Sequence, residues 1–334
     1  MSKHPAALFC LFFFVAIFSG NTCLAKPARR RHRHVWGPTT SGPFFTGTAE
    51  VEPRSSWYWE PYLFDSTKTG SSSLNFNQKF AIGLGHRLEF DGQLPLILNL
   101  ATPASAPPGT HVSAFGPGDA HLNLKYQLTA DANTFKLWAR PAIGLTADLF
   151  IPTGNASGLK PALYGVDQTG NGTFQEGLSL LMRKRVQPFL LYAQVGDLIQ
   201  NPADVPLGYG FNNGIGTVTS PSGAHLINGN LVYYSAALEY VLDTHRGIGF
   251  LAELDGQSQS SHNMIFGAAT APSFSYLFAS PELEVTWPAG NRFAITWGGG
   301  VNLPVETSDY QHIVTPMMTV TFSFNGPNGN RNTN

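Results

Sequence analysis

The chain has 334 residues, of which 12% are charged and 43% hydrophobic, and its formal net charge is -1. Soluble domains carry about 25% charged residues, so half the usual charge is missing. The near-neutral balance excludes a nucleic-acid partner recruited by bulk electrostatics. Beyond the N-terminus no apolar run of about 20 residues explains the low charge by a membrane helix.

Taken in order, Lys3 and His4 precede an apolar run from Ala6 to Phe18, and Cys23-Leu24-Ala25 offers a small-residue exit. This is the layout of a secretory signal peptide over 1–25, cleaved after Ala25. Cys10 and Cys23 leave with it, so the exported chain carries no thiol and relies on no disulfide. Residues 26–54 open on the basic run Arg29 to His34, are rich in Pro and Gly, and show no strand periodicity. They are expected to form a mobile periplasmic leader.

From there period-two alternation governs the chain. In 118–128, Ala120, Leu122, Leu124, Tyr126 and Leu128 share one face, and His121, Asn123, Lys125 and Gln127 the other. The same pattern predicts strands at 55–64, 73–85, 87–98, 118–128, 134–152, 173–183, 187–197, 230–242, 248–257, 275–287, 292–303 and 312–324. Soluble strands average about 5–6 residues, whereas a tilted strand needs roughly 9–11 to cross a bilayer. Backbone groups in hydrocarbon must pair within a closed barrel. The expectation is therefore an all-β, closed antiparallel transmembrane β-barrel of about twelve strands over 55–324, followed by a polar tail over 325–334.

Connection lengths alternate. Short turns fall at His86, Thr129 to Asn133, Lys184 to Val186, Asp243 to Gly247 and Pro288 to Asn291, with longer loops between them. Tight periplasmic turns with long external loops mark a bacterial outer-membrane barrel, and put both termini in the periplasm. Apolar-face aromatics near the short turns (Tyr126, Phe135, Phe189, Tyr240, Phe250, Trp287, Phe293 and Phe322) suit an interfacial girdle. The final strand, ending at Phe324, resembles the signal read by the barrel-assembly machinery. The partners implied are that machinery, outer-membrane lipid and lipopolysaccharide, and a small-molecule solute; no nucleic acid and no cofactor are called for.

Several local sequences resemble the outer-membrane transporter family named for the meta-pathway of phenol degradation. They are Gly42-Pro43-Phe44-Phe45-Thr46-Gly47, Glu60-Pro61, Gly116-Pro117-Gly118-Asp119 and Ile151-Pro152-Thr153-Gly154, in that order. The resemblance implies a barrel and, at the level of the family, transport of hydrophobic or aromatic compounds.

On the inward parity Lys79, Arg87, Lys125, Lys136 and Arg140 come from the second to fifth strands, and Glu239, Glu253, Asp255, Glu282 and Glu284 from the eighth to tenth. Opposite walls of opposite sign would set a transverse field across the lumen, with Arg140, Glu253 and Glu282 at a constriction. Salt-bridged filling of the lumen is the competing reading, and Glu89 and Asp91 blur the segregation. Inward Tyr58, Trp138, Phe150, Tyr233, Tyr276 and Phe278 are candidates to line an aromatic path or to plug it. An enzyme is not expected: His121 and His312 have no serine motif beside them. Asp167 to Gly172 matches a calcium loop in part, but Leu178 stands where the closing Glu belongs, so a plain external loop is the better reading. The function expected is passive uptake of small solutes through an outer-membrane channel; the alternative is a structural or surface-adhesion barrel with a plugged lumen.

Overall fold

Alternating side chains produce the strands that make up most of the described residues. The computed structural model describes residues 42–68, 71–102, 107, 109–132, 137–156, 163, 166–201, 203–205, 210–212, 217–219, 224–227, 230–243, 247–260, 262–264, 270–271, 274–289, 292–307 and 314–324. Among them lie β1 (Trp57–Lys68), β2 (Ser71–Gly85), β3 (Leu88–Ala101), β4 (Val112–Pro117), β5 (Ala120–Thr129), β6 (Ala142–Ile151), β7 (Gln175–Val186) and β8 (Phe189–Gln200). Four short strands follow, β9 (Ala203–Val205), β10 (Gly210–Asn212), β11 (Thr217–Thr219) and β12 (Ala224–Ile227). The chain continues with β13 (Leu231–Asp243), β14 (Ile248–Gln259), β15 (His262–Met264), β16 (Thr270–Ala271), β17 (Phe274–Pro288), β18 (Phe293–Thr307) and β19 (Thr315–Phe324).

The long strands pair antiparallel in the order β1-β2-β3-β5-β6-β7-β8-β13-β14-β17-β18-β19, and β1 pairs back onto β19. This is a closed barrel of twelve strands. At the closing seam Trp57 stacks on Phe324 and Trp59 on Phe322, with ring centroids 5.5 and 5.4 Å apart. Closure leaves no backbone edge in the wall, the condition for crossing hydrocarbon.

The outward parity is apolar. Trp59, Phe80, Leu124, Leu145, Phe250, Leu254, Trp297 and Met318 are all exposed there. A band this continuous has no place on a water-facing surface and fits lipid. Phe189, Tyr240, Phe250 and Trp287 stand exposed on that face toward the short-turn ends, where a girdle is expected; Phe135 lies outside the described residues.

Several strand boundaries differ from the sequence reading, and three of the differences change the wall. The expected strand over 134–152 begins only at Ala142. Pro141 has no N–H to give the ladder, and the β5–β6 register shifts between Gln127 and Thr129. The described parts of this connection, 130–132 and 137–141, lie outside any strand, so β5 and β6 are not joined by the tight turn expected at Thr129 to Asn133. Second, the loop expected over 101–117 contains β4, which pairs with Leu96–Ala101 while β5 pairs with Leu88–Gln93. β4 and β5 form one line broken at Gly118-Asp119. Gly118 donates to the Pro95 carbonyl at 2.8 Å, and a Cβ there would stand 2.7 Å from Pro95 Cγ. The expected short turn at Lys184 to Val186 falls instead at Gln187-Pro188. On the outer side Asn99 Nδ2 donates to the Val166 and Gln168 carbonyls, both at 2.9 Å, tying the β6–β7 loop to β3.

The largest departure is at the start of the described chain. Residues 42–54, expected to belong to a periplasmic leader, enter the lumen. Ala49 is fully buried in a cluster with Ala142 and Leu181. The chain then leaves by the short-turn end, where Ser55 N donates to the Gly83 carbonyl at 2.9 Å and Gly83 N to that of Ser56 at 2.9 Å. Small residues make this fit possible: a Cβ at Gly47 would lie 3.0 Å from Leu181 Cδ2.

Candidate functional site: the barrel lumen

Register aligns the inward residues of β1 to β7 into three rows across the wall. One runs Tyr58, Ala81, Asp91, Asn123, Asp148. The next, toward the external end, runs Glu60, Lys79, Gln93, His121, Phe150. The third, toward the periplasmic end, runs Gly83, Glu89, Lys125, Thr146, Ser179. Each charged residue thereby acquires a fixed neighbour. Lys125 Nζ lies 2.6 Å from Glu89 Oε1, and the two residues are 5% and 1% exposed. Lys79 Nζ lies 3.9 Å from Glu60 and 5.6 Å above the Tyr58 ring. His121 Nε2 meets Asp148 Oδ1 at 2.8 Å while its ring stacks on Phe150 at 4.1 Å. Tyr233 reaches in from β13 and donates to Asp148 Oδ2 at 3.2 Å. It crosses Gly196, where a Cβ would lie 2.3 Å from Tyr233 Cζ.

The acidic wall holds the inserted segment. Glu253 accepts from the backbone N–H of Phe45 at 3.1 Å, and from both the N–H and the hydroxyl of Thr46. Gln194 Oε1 accepts from Gly47 N at 2.7 Å. Arg183 pairs with Glu50, and Glu52 N donates to Glu89. Backbone donors of the segment therefore face carboxylates of the wall, and such charge-assisted bonds are roughly twice as strong as neutral ones. Glu239 accepts from Tyr192 Oη at 2.8 Å, with the Arg183 guanidinium 5.7 Å from the Tyr192 ring. Glu282 and Glu284 are buried beside Glu253 on β17. A cavity of about 330 Å³ remains between residues 42–52 and the wall, lined among others by Tyr58, Glu60, Asp91, Asn123 and Asp148.

The lumen thus brings together Lys79, Lys125, Glu239, Glu253, Asp255, Glu282 and Glu284 on the inward face, with Tyr58, Phe150 and Tyr233. Tyr276 and Phe278 also lie on that parity and pack with tilted rings, their centroids 5.0 Å apart. It does not include Arg140 or Trp138. Arg140 sits in the connection before β6 and donates through Nε to the Ala130 carbonyl at 3.1 Å. Trp138, in the same connection, is 66% exposed. Extending the β6 alternation past Pro141 would put both inward, but no ladder enforces that parity there. Arg87 is likewise no lumen residue: it lies in the β2–β3 turn with positive φ and donates to the Leu128 carbonyl at 3.0 Å. Lys136 and His312 lie outside the described residues. In the barrel order β2 to β5 do face β13 to β17, but the basic wall is not basic, because Glu60, Glu89 and Asp91 are interleaved with its lysines.

Sequence reasoning missed Thr46, Glu50 and Glu52, whose stretch has no alternation to betray its contacts. It singled out Gly42 to Gly47 only as a family-like opening.

No family model matches the chain, and no curated protein matches it. Among solved structures, the COG4313 outer membrane channel from Pseudomonas putida F1 matches with a TM-score of 0.59 and 14% identity, over 83% of this chain and 98% of that one. The NanC porin matches with a TM-score of 0.40 and 6% identity over 81% of this chain and all of that one. A deletion mutant of the TodX monoaromatic hydrocarbon channel matches at 0.40 and 10%, over 82% of this chain and 91% of that one. At such identities only the first likeness bears on structure, and it does so for the fold: the chain is built as a transmembrane barrel of the outer-membrane channel kind.

Proposed function

We propose that this chain is a bacterial outer-membrane channel that lets small solutes pass passively, with passage governed by residues 42–52 inside the lumen. The observation that carries this reading is the cavity of about 330 Å³ left beside the inserted segment in a closed, lipid-facing barrel. A barrel of about eight strands is filled by its own side chains, and one of sixteen to eighteen leaves an open channel. Twelve strands with one inserted segment give an intermediate, gated width. Selectivity would then come from lumen width and from the charged and aromatic groups along it. Membership of the meta-pathway family, and aromatic or hydrophobic cargo, rest on the motif resemblance together with inward Tyr58, Phe150, Tyr233, Tyr276 and Phe278. Export and assembly by the barrel-assembly machinery into a lipopolysaccharide-bearing membrane belong to the same proposal. The reading is of transport and not of an enzyme, supported by the likeness of the fold to an outer membrane channel.

The inserted segment also favours a second reading, a structural barrel whose lumen is shut. Planar-bilayer conductance of the refolded protein separates the two. Steady single-channel steps, with swelling of liposomes in a small sugar or amino acid, support the channel. A folded barrel that is silent in both assays overturns it and leaves the structural role.

A further inference from the structure

The lumen is short of hydrogen-bond donors. Its internal donors are spent on particular carboxylates: Lys125 on Glu89, His121 and Asn123 Nδ2 on Asp148, and Arg183 on Glu50. After these pairs are made, Asp91 Oδ1 and Asn123 Oδ1 are buried and accept no hydrogen bond, although Asp91 still lies beside the Glu89 carboxyl and in the fields of Lys125 and Lys79. Asp91 is 8% exposed. The two residues are directly opposed in the β3–β5 register and both line the cavity. In the same row Ala81 stands between Tyr58 and Asp91 with no side chain beyond Cβ. On the far wall Asp255 Oδ1 is also buried without a donor. Apart from Arg183 Nε on β7 and the Thr321 hydroxyl, the unmet groups are oxygen acceptors, which suit a positive group bearing N–H.

Leaving a buried carboxylate without a donor costs several kcal/mol, so the missing partner has a definable chemistry. Anions are excluded by the carboxylates, and neutral hydrocarbons satisfy none of the acceptors. Among the described residues no group of three or more His, Cys, Asp or Glu is arranged to hold a metal ion. A tyrosine face flanked by carboxylates suits an organic cation. The chain's own Lys79 shows the principle, placing its ammonium 5.6 Å from the Tyr58 ring centroid. A volume of about 330 Å³ falls within the range of small-molecule sites.

We infer that this cavity is a binding site for a small organic cation, an ammonium or guanidinium whose N–H groups bond Asp91 and Asn123 and whose apolar part lies against Tyr58. The inference rests on the lumen being a solute path and names the class of solute that path favours.

The test is equilibrium dialysis of benzylammonium against the refolded full-length barrel in detergent, with benzyl alcohol and benzoate as neutral and anionic controls. Benzylammonium is expected to saturate one site, with no saturable uptake of either control. Asp91→Asn, which keeps the side-chain shape, should weaken binding about tenfold or more, as expected for a charge-assisted bond. Lys79→Gln removes the resident ammonium beside Tyr58 and should tighten binding. It supplies a change of opposite sign should Asp91→Asn fail to refold. Equal uptake of benzyl alcohol, unchanged affinity in Asp91→Asn, or weaker binding in Lys79→Gln overturns the site. A barrel that binds benzylammonium yet conducts nothing keeps the site and sinks the channel reading; one that conducts without binding does the reverse.

Discussion

Releasing residues 42–52 should widen the pore, and the size of the effect follows from barrel geometry. Twelve strands about 4.8 Å apart and tilted about 40° give a circumference near 75 Å, hence a backbone radius of about 12 Å. Inward side chains take about 6 Å of this, and an extended segment about 4–5 Å in radius fills half or more of what remains. Deleting 42–52 should therefore raise single-channel conductance about two- to threefold or more. Glu253→Ala should act through the same element by removing the acceptor for Phe45 N, Thr46 N and the Thr46 hydroxyl. Losing the equivalent of one or two charge-assisted hydrogen bonds, about 2–4 kcal/mol, lowers the inserted population by a factor of about 30 to 1,000. Reversible steps between the wild-type and the deletion level are expected. Recording in 1 M KCl shortens the Debye length to about 3 Å, so the lost carboxylate charge contributes little by its field. A folded deletion variant with wild-type conductance would refute the reasoning, because the segment would then carry none of the resistance.

The remaining expectations concern the wall. Glu89→Gln should destabilise the barrel by about 3–5 kcal/mol in denaturant unfolding, since it strands the buried Lys125, and adding Lys125→Met should recover most of the loss. Arg140→Ala should leave conductance and ion selectivity unchanged and shift stability by no more than about 0.5 kcal/mol, as its side chain lies in the connection before β6. Asn99→Ala removes both bonds that tie the β6–β7 loop to β3 and should speed proteolysis within that loop while the barrel's unfolding midpoint holds. Trp59→Ala breaks a stacked pair with Phe322 at the closing seam. A loss of about 0.5–1.5 kcal/mol beyond lost contact area is expected, read from unfolding in lipid.

What could be read from the sequence follows a physical divide. A wall strand announces itself, because lipid on one side and lumen on the other force opposite chemistries on alternate residues. Leu122, Leu124 and Tyr126 could point only outward once that rule was in force, and Lys125 only inward. The rule failed where it was carried past its cause. Trp138 and Arg140 kept the parity of β6 on the far side of Pro141, where no ladder enforces it. β4 escaped notice because six residues between Pro- and Gly-rich stretches carry too little alternation to register. Pairing partners within the lumen were also out of reach: that Lys125 meets Glu89 depends on register across the β3–β5 pair, which the pattern of either strand alone does not specify.

Residues 42–52 escaped for a deeper reason, which also explains their composition. What they offer the lumen is backbone, not side chain. The acidic wall of β14 and β17 has no lysine or arginine of its own facing it among the described residues. Yet the N–H groups of Phe45 and Thr46 are aimed at Glu253, and those of Gly47 and Glu52 at Gln194 and Glu89. A stretch that works through its amides needs small residues that let it come close, and Thr46, Gly47, Thr48 and Ala49 supply them. Every non-proline residue carries the same N–H donor, so no hydrophobic pattern records which of them are used. The same donors explain where solute chemistry is left over: Asp91 and Asn123 lie on the wall that the segment's amides reach only at Glu89. The acceptors that the chain does not satisfy for itself mark the place where an incoming ammonium would be bound.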